Sequence, residues 1–589
     1  MSESTPGVSQ RLFRGYGPLV GFAAIFAAIS LLVPTVRQEV VTERAVASDG
    51  SGSGPLASGG DGSTTPTSDG AVVSGDSVVA PDGSTTDAGG SGGSTAGGSG
   101  SKTATGSKGA GSGAGAGAGT GAGSAGGAAK PGQTVPCGAY QIPKDPYSPP
   151  CYRWGGGDNG GATTMGVTAD KITVTARIQA FDNGLLDALS RLANAKIPNE
   201  PRSVIESTIR ALVQFANDHF TFYGRKLDLQ IFEGVGKVEV EVQGGGQDGA
   251  ERDADKVGKE IKAFADISGI SPPYVEALAK RKVVSFGAPY LSRDWLTRVR
   301  PYAWSPLTDC STVVESVGSF YLQKMGGKPA SLAEGALKGQ PRKVAIIAPD
   351  NSWYQECVNA GIKIIQDGGR GGDIALNLPY KIDLSSITPQ ADAIMAKLKG
   401  GGITTVICGC DPIMLSTLTG KATGQGYYPE WEQTGVAFTD QDLLGGIMDK
   451  AQWKHAFGVA FSGQSGAIEQ GIGYQAAKSV LGSQPVSQAA DLIYANIEML
   501  AIGIQMAGPN LTPETFEAGM FKYPQRSGTQ GTWKFGPNDY TTSQDAREVY
   551  WDPRVVSPQS KETGSWIDAT GKRFPIGQFP AGDPKTCGC

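Results

Sequence analysis

Cysteine and histidine set the limits on metal and nucleophilic chemistry in this chain. The sequence contains eight cysteines but only two histidines, His219 and His455. A metal site built from several histidines is therefore excluded, and acid–base catalysis would depend on carboxylates, lysine or tyrosine. The two C-x-C pairs lack the C-x2-C spacing of common zinc sites, so we interpret the cysteines as disulfide-forming. The candidates are Cys137, Cys151, Cys310, Cys357, Cys408, Cys410, Cys587 and Cys589.

One disulfide has a local rationale, although the sequence leaves the full connectivity open. Cys137 and Cys151 bracket a Pro-rich stretch, residues 143–150, that is not expected to form regular structure. A bond between them would close this stretch into a stapled loop. We therefore predict a Cys/Pro-rich collar over residues 137–164, at the entrance to the folded domain.

The sequence contains no complete copy of the common catalytic motifs. Gly420-Lys421 resembles the end of a phosphate-binding loop, but Leu415 stands where that loop needs glycine. The chain has no zinc-protease HExxH motif and no dinucleotide-binding GxGxxG motif between a strand and a helix. A hydrolase that uses two carboxylates needs no fixed spacing and stays open as an alternative. The sequence thus favours a protein that is not an enzyme and that has no cofactor or metal.

The charge balance argues against nucleic acid as a partner. The chain has 51 Lys and Arg residues against 56 Asp and Glu residues, a formal net charge of −5. It contains no run of basic residues that would neutralise a phosphate backbone. A small neutral or charged molecule is a better candidate for its ligand.

The N-terminal region predicts export and attachment to a membrane. Residues 15–36 form an uncharged, largely apolar stretch of 22 residues. As a helix it would span about 33 Å, enough to cross a bilayer. It is either an uncleaved anchor or a cleaved signal, and charged residues separate it from the A-x-A site at 45–47. We predict an anchor in the cell membrane, with residues 1–14 as a short cytoplasmic tail and the remainder on the extracytoplasmic face.

The segment that follows is predicted to be a linker. Between residues 48 and 130 lie 27 of the 87 glycines, and aromatic residues are absent. Such a segment cannot bury enough apolar surface to offset its chain entropy. We predict a disordered tether over residues 37–136. Its Gly/Ser-rich part would have a root-mean-square span of about 50 Å.

From residue 165 onward, short β-branched runs alternate with longer amphipathic segments. The predicted strands are 172–178, 226–232, 282–286, 343–347 and 404–408. The predicted helices are 203–220, 252–265, 311–325, 353–367 and 412–424. This alternation indicates parallel sheets covered on both faces, and a break near 301–306 indicates that the chain passes to a second sheet. The predicted fold class is α/β, with two doubly wound lobes over residues 165–555 and a C-terminal tail over residues 556–589.

Four segments in the same order resemble motifs of the type I periplasmic-binding-protein family, in particular solute-binding proteins of amino-acid and amide ABC importers. They are the first strand at 166–174, the turn at 215–229, the helical region at 487–521 and the hairpin at 528–535. The resemblance covers about 165–555. The chain departs from the family in an insertion at 234–246, in its long C-terminal tail, and in having an anchor instead of a lipidated cysteine.

The resemblance implies a Venus-flytrap pair of lobes that are joined by three crossings and close on a small molecule. Ligands of open α/β sheets bind beyond the carboxyl ends of the strands, near helix N-termini. The matching positions are Ser268, Ser271 and Gly287 in the first lobe and Tyr354, Asp411 and Asp440 in the second lobe. The serines and aspartates are equally compatible with helix capping, and Tyr354 with plain packing.

The function implied by the resemblance is capture of a small polar ligand, an amino acid or amide, and its delivery to an ABC importer permease. The alternative is a membrane-anchored sensor or scaffold without transport.

Overall fold

The computed structural model describes residues 134–138, 140–178, 200–288 and 290–589. The predicted cytoplasmic tail, the membrane segment and nearly all of the linker lie outside these ranges. Within the described ranges, no helix combines the length and the apolar character needed to span a bilayer. The description below concerns the folded part of the chain.

The β-strands alternate with helices through most of the folded part. In chain order they are β1 (Thr134–Gly138), β2 (Cys151–Trp154), β3 (Lys171–Arg177), β4 (Lys226–Phe232), β5 (Ala265–Asp266), β6 (Val284–Phe286), β7 (Ala303–Trp304), β8 (Val344–Pro349), β9 (Ile374–Tyr380), β10 (Thr405–Cys408), β11 (Glu430–Gln433), β12 (Ala456–Ala460), β13 (Arg526–Gly528), β14 (Gly531–Trp533), β15 (Asp545–Val556) and β16 (Thr563–Pro575).

The α-helices cover the faces of the two main sheets. In chain order they are α1 (Arg202–His219), α2 (Val238–Val242), α3 (Gln247–Asp255), α4 (Pro272–Lys280), α5 (Arg293–Arg298), α6 (Cys310–Phe320), α7 (Ser352–Ile365), α8 (Ile387–Gly400), α9 (Pro412–Gly424), α10 (Asp442–Gly445), α11 (Lys450–Trp453), α12 (Ile472–Leu481), α13 (Ala490–Ala507) and α14 (Pro513–Phe521). Short π-helical segments extend α3, α6 and α7.

The first lobe is built on a sheet with the order β4-β3-β5-β6-β7. Every neighbouring pair in it is parallel. Helices α12, α13 and α14, which come late in the sequence, return to this lobe and share its core with α1. The lobe is therefore assembled from two distant parts of the chain.

The second lobe is built on a sheet with the order β16-β15-β12-β11-β10-β8-β9. Strands β8 to β12 are mutually parallel, and all of them except the edge strand β9 are buried along their length, as expected for a sheet covered on both faces. The pairs β12–β15 and β15–β16 are antiparallel. The predicted α/β lobes with parallel sheets are confirmed, but this sheet is mixed.

The C-terminal residues are part of the second lobe, where the sequence predicts a tail over 556–589. Strand β16 lies within that range and pairs along β15. The side chains of Trp551 and Trp566 from the two strands are buried against each other, 5.4 Å between ring centroids. Burial of this aromatic pair stabilises the β15–β16 hairpin in the core of the second lobe.

Within the described residues the chain crosses between the lobes three times, at 305–309, 461–471 and 541–544. Ser305 and Thr541 form an isolated parallel bridge, so the first and third crossings run side by side. This arrangement is the one that the family resemblance implies.

One predicted helix is wrong at its C-terminal end. The sequence predicts a helix over 252–265, but α3 and its π-helical extension end at Ile261. Lys262 has a left-handed backbone with φ of 57°, which breaks the helix. The apolar residues that follow enter the sheet as β5, where Phe264 N–H donates to Thr173 O.

Candidate functional site

The carboxyl edges of the two sheets meet in the structure. Asn351 occupies the N-cap position of α7, directly after β8, yet its side chain does not cap that helix. Instead, Asn351 Nδ2 donates to Val242 O of α2 in the first lobe at 2.9 Å. Ser292 Oγ of the first lobe also donates to Glu356 Oε1 of α7 at 2.9 Å. The insertion at 234–246, which sets this chain apart from the family pattern, thus supplies one side of the contact between the lobes.

A cavity of about 130 Å³ opens at this edge of the second lobe. We call it the lobe 2 cavity. It lies between α6, α7 and the ends of β8 and β10, and Tyr290 reaches it from the first lobe. Its walls are mainly aliphatic and include Val313, Val317, Ile346, Val358, Ile362 and Ile382. Apolar walls with a few polar groups are typical of small-molecule sites.

Two of the predicted site residues, Tyr354 and Asp411, line the lobe 2 cavity. Tyr354 is half-buried on α7, and burial raises its pKa to about 12. No described group forms a hydrogen bond with its hydroxyl. The neutral ring therefore presents an unused polar tip to whatever enters the cavity.

Asp411 is held by its own lobe. It caps α9 by accepting from Ile413 N at 2.9 Å and Met414 N at 3.1 Å, and Tyr380 Oη donates to Asp411 Oδ2 at 2.6 Å. Burial raises the pKa of Asp411. The capping role that the sequence left open is the one that the structure shows.

Two disulfides lie in the cavity wall. The Cys310–Cys357 bond joins α6 to α7, with 5.9 Å between the Cα atoms. The Cys408–Cys410 bond closes the turn between β10 and α9, and Cys410 faces the cavity. The helices that form the walls are therefore cross-linked, which restricts how far they can separate.

The other cysteines lie away from the cavity. Cys587 pairs with Cys589 near the end of the chain. Cys151 is disulfide-bonded. The side chain of Cys137, its predicted partner, lies outside the described residues.

Tyr290 connects the lobes at the rim of the cavity. It follows β6 of the first lobe, and the backbone N–H groups of Ala437 and Phe438 in the second lobe hydrogen-bond its hydroxyl. Burial raises its pKa well above the usual value. Tyr290, Ala437 and Phe438 all have positive φ, between 54° and 58°, which is rare for residues other than glycine. Such strained backbone is often found at functional sites.

Asp440 does not reach the lobe 2 cavity. Its carboxylate is fully buried and accepts from Phe461 N at 3.0 Å, Ser462 N at 2.9 Å and Ser462 Oγ at 3.0 Å. These donors belong to the second crossing. The residue thus secures the start of that crossing.

The three candidates of the first lobe also lie outside the lobe 2 cavity. Ser268 Oγ donates to Asp266 Oδ1 at 2.7 Å, and Ser271 Oγ hydrogen-bonds the carboxylate of Glu241. Gly287 has φ of +118°, and a Cβ at this position would lie 3.3 Å from the side-chain amide of Asn496. The structure therefore brings Tyr354 and Asp411 together and places the other four candidates in neighbouring networks.

An ion cluster at the carboxyl end of β3 was not predicted from the sequence. Arg177, the last residue of β3, forms ion pairs with Glu241 at 2.8 Å and Asp253 at 3.1 Å, and all three side chains are buried. The guanidinium also lies 3.7 Å from the ring centroid of Tyr274. An arginine that ends an apolar strand is the one local signal that could have indicated this cluster.

The solved structures to which this chain is similar include solute-binding proteins of ABC transporters. No protein-family model and no curated protein sequence matches it. The chain aligns with nearly the whole length of three similar solved structures. They are a solute-binding protein of an R. palustris ABC transporter in complex with 4-hydroxybenzoate (13% identity, 69% of this chain and 98% of that chain, TM-score 0.46), a fatty acid ABC transporter substrate-binding protein from Thermomonospora curvata (14%, 70% and 97%, 0.46), and an ABC transporter substrate-binding protein from Desulfitobacterium hafniense in complex with Leu (14%, 68% and 99%, 0.40).

TM-scores below 0.5 do not by themselves establish a common fold. The two-lobed architecture of this chain rests on its own sheet order and its own crossings.

Proposed function

We propose that this protein is a solute-binding protein that captures a small molecule between its lobes and delivers it to an ABC importer. The observation that carries the proposal is the lobe 2 cavity at the carboxyl ends of β8 and β10, which Tyr354 lines from the second lobe and Tyr290 reaches from the first lobe. Open α/β sheets bind ligands at this edge. Two lobes on three crossings can close around a ligand by hinge motion.

The lining of the cavity narrows the class of ligand. The sequence predicts a small polar ligand, an amino acid or amide. Among the described lining residues, however, aliphatic side chains predominate, and Asp411 is already used as a helix cap. A ligand with an apolar body and one polar end fits this lining better than a fully polar one.

We further propose that the protein works on the extracytoplasmic face of the cell membrane, anchored by residues 15–36. The disulfides support this placement, because they persist in oxidising compartments. An ABC importer permease is the partner that this function requires.

Thermal unfolding of the full-length protein with 4-hydroxybenzoate, leucine and hexanoate as probes tests the proposal. A ligand that binds only the folded state stabilises it by about 2.7 kcal/mol at a hundredfold excess over Kd. We expect at least one probe to raise the Tm of the wild type and Tyr354→Ala to reduce that shift by half or more.

Tyr428→Ala is the matched control, because Tyr428 is also half-buried but does not line the lobe 2 cavity. It should keep the ligand-induced shift. A Tyr354→Ala protein that keeps its full shift, or that loses ligand-free stability without losing affinity, would show that Tyr354 is packing and that the ligand binds elsewhere.

A further inference from the structure

The tripeptide Cys-Gly-Cys occurs twice in the chain, at 408–410 and at 587–589. In each copy the two cysteines, separated by 2 in sequence, form a disulfide with each other. The two rings therefore have the same size and the same central residue. Any difference in their reactivity must come from the surroundings that the fold gives them.

The first copy is enclosed by the second lobe. Cys408 and Cys410 have relative exposures of 5% and 1%. A Cβ added at Gly409 would contact Ala348 Cβ and Ile347 O, each at 3.8 Å. A thiolate must reach one of the sulfur atoms to react with a disulfide. The packing around this pair therefore shields it from thiols in solution.

The second copy lies at the surface. Gly588 and Cys589 are exposed, and Cys587 is half-buried. Gly588 has a left-handed backbone with φ of 61°, and a Cβ added there would have no described atom within 4 Å. The outer side of this ring therefore faces open space, and a thiolate in solution can approach it.

The two sulfur atoms of the exposed pair have different surroundings. Cys587 packs against the protein, because Arg554 of β15 donates to Cys587 O at 3.0 Å and Cys587 Sγ lies 3.5 Å from Lys454 O. Cys589 N also donates to Cys587 Sγ at 3.2 Å. A backbone N–H group stabilises negative charge on a sulfur atom. This geometry favours attack on Cys589 and departure of Cys587 as the thiolate.

The exposed pair can also be reduced without loss of its surroundings. After reduction, the thiol of Cys587 has an acceptor in Lys454 O, and its sulfur keeps the donor Cys589 N. A bond between residues separated by 2 restricts the unfolded chain less than the Cys310–Cys357 bond, which closes a separation of 47 residues. Exposed disulfides that contribute little to stability are typically the labile and catalytic ones.

We propose that the Cys587–Cys589 pair is a thiol–disulfide exchange site that oxidises external dithiols, an activity that does not depend on the function proposed above. A substrate thiolate attacks Cys589 Sγ and forms a mixed disulfide, while the Cys587–Cys589 bond breaks and Cys587 leaves as a thiolate that takes a proton from water. The second substrate thiolate then attacks the substrate sulfur of the mixed disulfide. This step forms the substrate disulfide and releases Cys589 as a thiolate, so two electrons pass from the substrate to the pair.

Reduction of the oxidised full-length protein by glutathione tests the accessibility of this site. Samples are alkylated with iodoacetamide at intervals, and mass spectrometry of the cysteine peptides gives the reduction rate of each disulfide. Cys408–Cys410 is the matched control within the same molecule. We expect Cys587–Cys589 to be reduced at least about tenfold faster, because the exchange rate depends on access to the sulfur. A smaller difference between the two pairs would overturn the proposal.

The direction of attack is tested by trapping the mixed disulfide. Addition of N-ethylmaleimide early in the reaction with glutathione alkylates the thiol that has just been released. We expect peptides that carry glutathione on Cys589 and the alkyl group on Cys587. Glutathione on Cys587, or on both residues equally, would contradict the roles assigned to the two sulfur atoms.

The oxidising activity is tested with a reduced peptide that contains two cysteines, and oxidised glutathione restores the pair after each turnover. We expect the wild type to accelerate disulfide formation in the peptide several-fold, and no acceleration would refute the activity. The double change Cys587→Ser and Cys589→Ser should abolish the acceleration. This variant keeps the buried Cys-Gly-Cys copy, so an undiminished rate would show that the exposed pair is not the site. If the variant fails to fold, the comparison of the two pairs within the wild type still decides.

Discussion

The carboxyl edges of the two lobes are built in opposite ways. In the first lobe, β3 ends in Arg177, whose guanidinium is enclosed by two carboxylates and an aromatic ring. In the second lobe, the ends of β8 and β10 border a cavity with apolar walls, braced by disulfides. The edge of the first lobe is thus occupied by a buried ion cluster, and the edge of the second lobe contains a cavity.

This difference shows how one fold divides its tasks. A buried ion cluster fixes the positions of α2, α3 and β3, because each charge loses its compensation when a neighbour moves away. An apolar cavity has no charges to compensate, and a ligand of suitable shape can enter it. The first lobe thus provides a rigid surface, and the second lobe provides the space for a ligand.

Breaking the ion cluster should have the largest effect. Arg177→Met leaves Glu241 and Asp253 buried without a cation, and we expect it to lower the free energy of unfolding by about 3–5 kcal/mol. Urea-induced unfolding measures this loss. Lys171→Met is the control, because Lys171 lies on the same strand as Arg177 and its exposed pair with Asp228 of β4 should contribute less than about 1 kcal/mol. Equal effects of the two changes would contradict the rigid role assigned to the cluster.

Removing the brace of the second lobe should have the next largest effect. The Cys310–Cys357 bond closes a separation of 47 residues. The double change Cys310→Ser and Cys357→Ser should cost about 2–4 kcal/mol and weaken ligand binding at the lobe 2 cavity. The corresponding change at Cys587 and Cys589, which are separated by 2 residues, should cost much less. Calorimetric unfolding compares the two, and a larger loss for the terminal pair would refute the brace.

The free energy of unfolding should depend on pH through the pair of Asp309 and Asp539. Burial, and then repulsion by Asp309, raises the pKa of Asp539 to about 7 from an unfolded value of 3.8. Between these pH values the folded state keeps a proton that the unfolded state releases, so stability falls as the pH rises from about 4 to 7.

Asp539→Asn should remove this loss and gain about 1–2 kcal/mol at pH 8 relative to the wild type, but almost nothing at pH 4. Asp350→Asn, at an exposed aspartate, should show no such difference. Thermal unfolding from pH 4 to pH 8 measures both. A gain for Asp539→Asn that is equal at both pH values would contradict the raised pKa of Asp539.

The regular parts of both lobes could be predicted from local sequence. Strand β4 and helix α9 occur with the predicted bounds, because an apolar strand run and an Asp-Pro helix start are local signals. The β15–β16 hairpin could not be predicted in the same way. Its place in the sheet depends on the pairing of β15 with β12, nearly a hundred residues earlier, and no short motif encodes that pairing.

The candidate site was predictable only in part, for a similar reason. Tyr354 and Asp411 follow buried strands of one sheet, so topology alone places them at a common edge. Ser271 also follows a strand, but its hydroxyl is bound by Glu241, which comes from the insertion at 234–246. A partner supplied by an inserted segment cannot be inferred from the residues around the serine.

The collar attaches the N-terminal part of the chain to the first lobe. Tyr147 stacks on Trp533, and Tyr523 Oη hydrogen-bonds the carbonyl of Tyr147, so residues 140–154 are fastened to the first lobe. Any chain that precedes them joins the protein at the first lobe. A force applied through the N-terminal chain would therefore act on the first lobe, and the second lobe would be the part that moves relative to it.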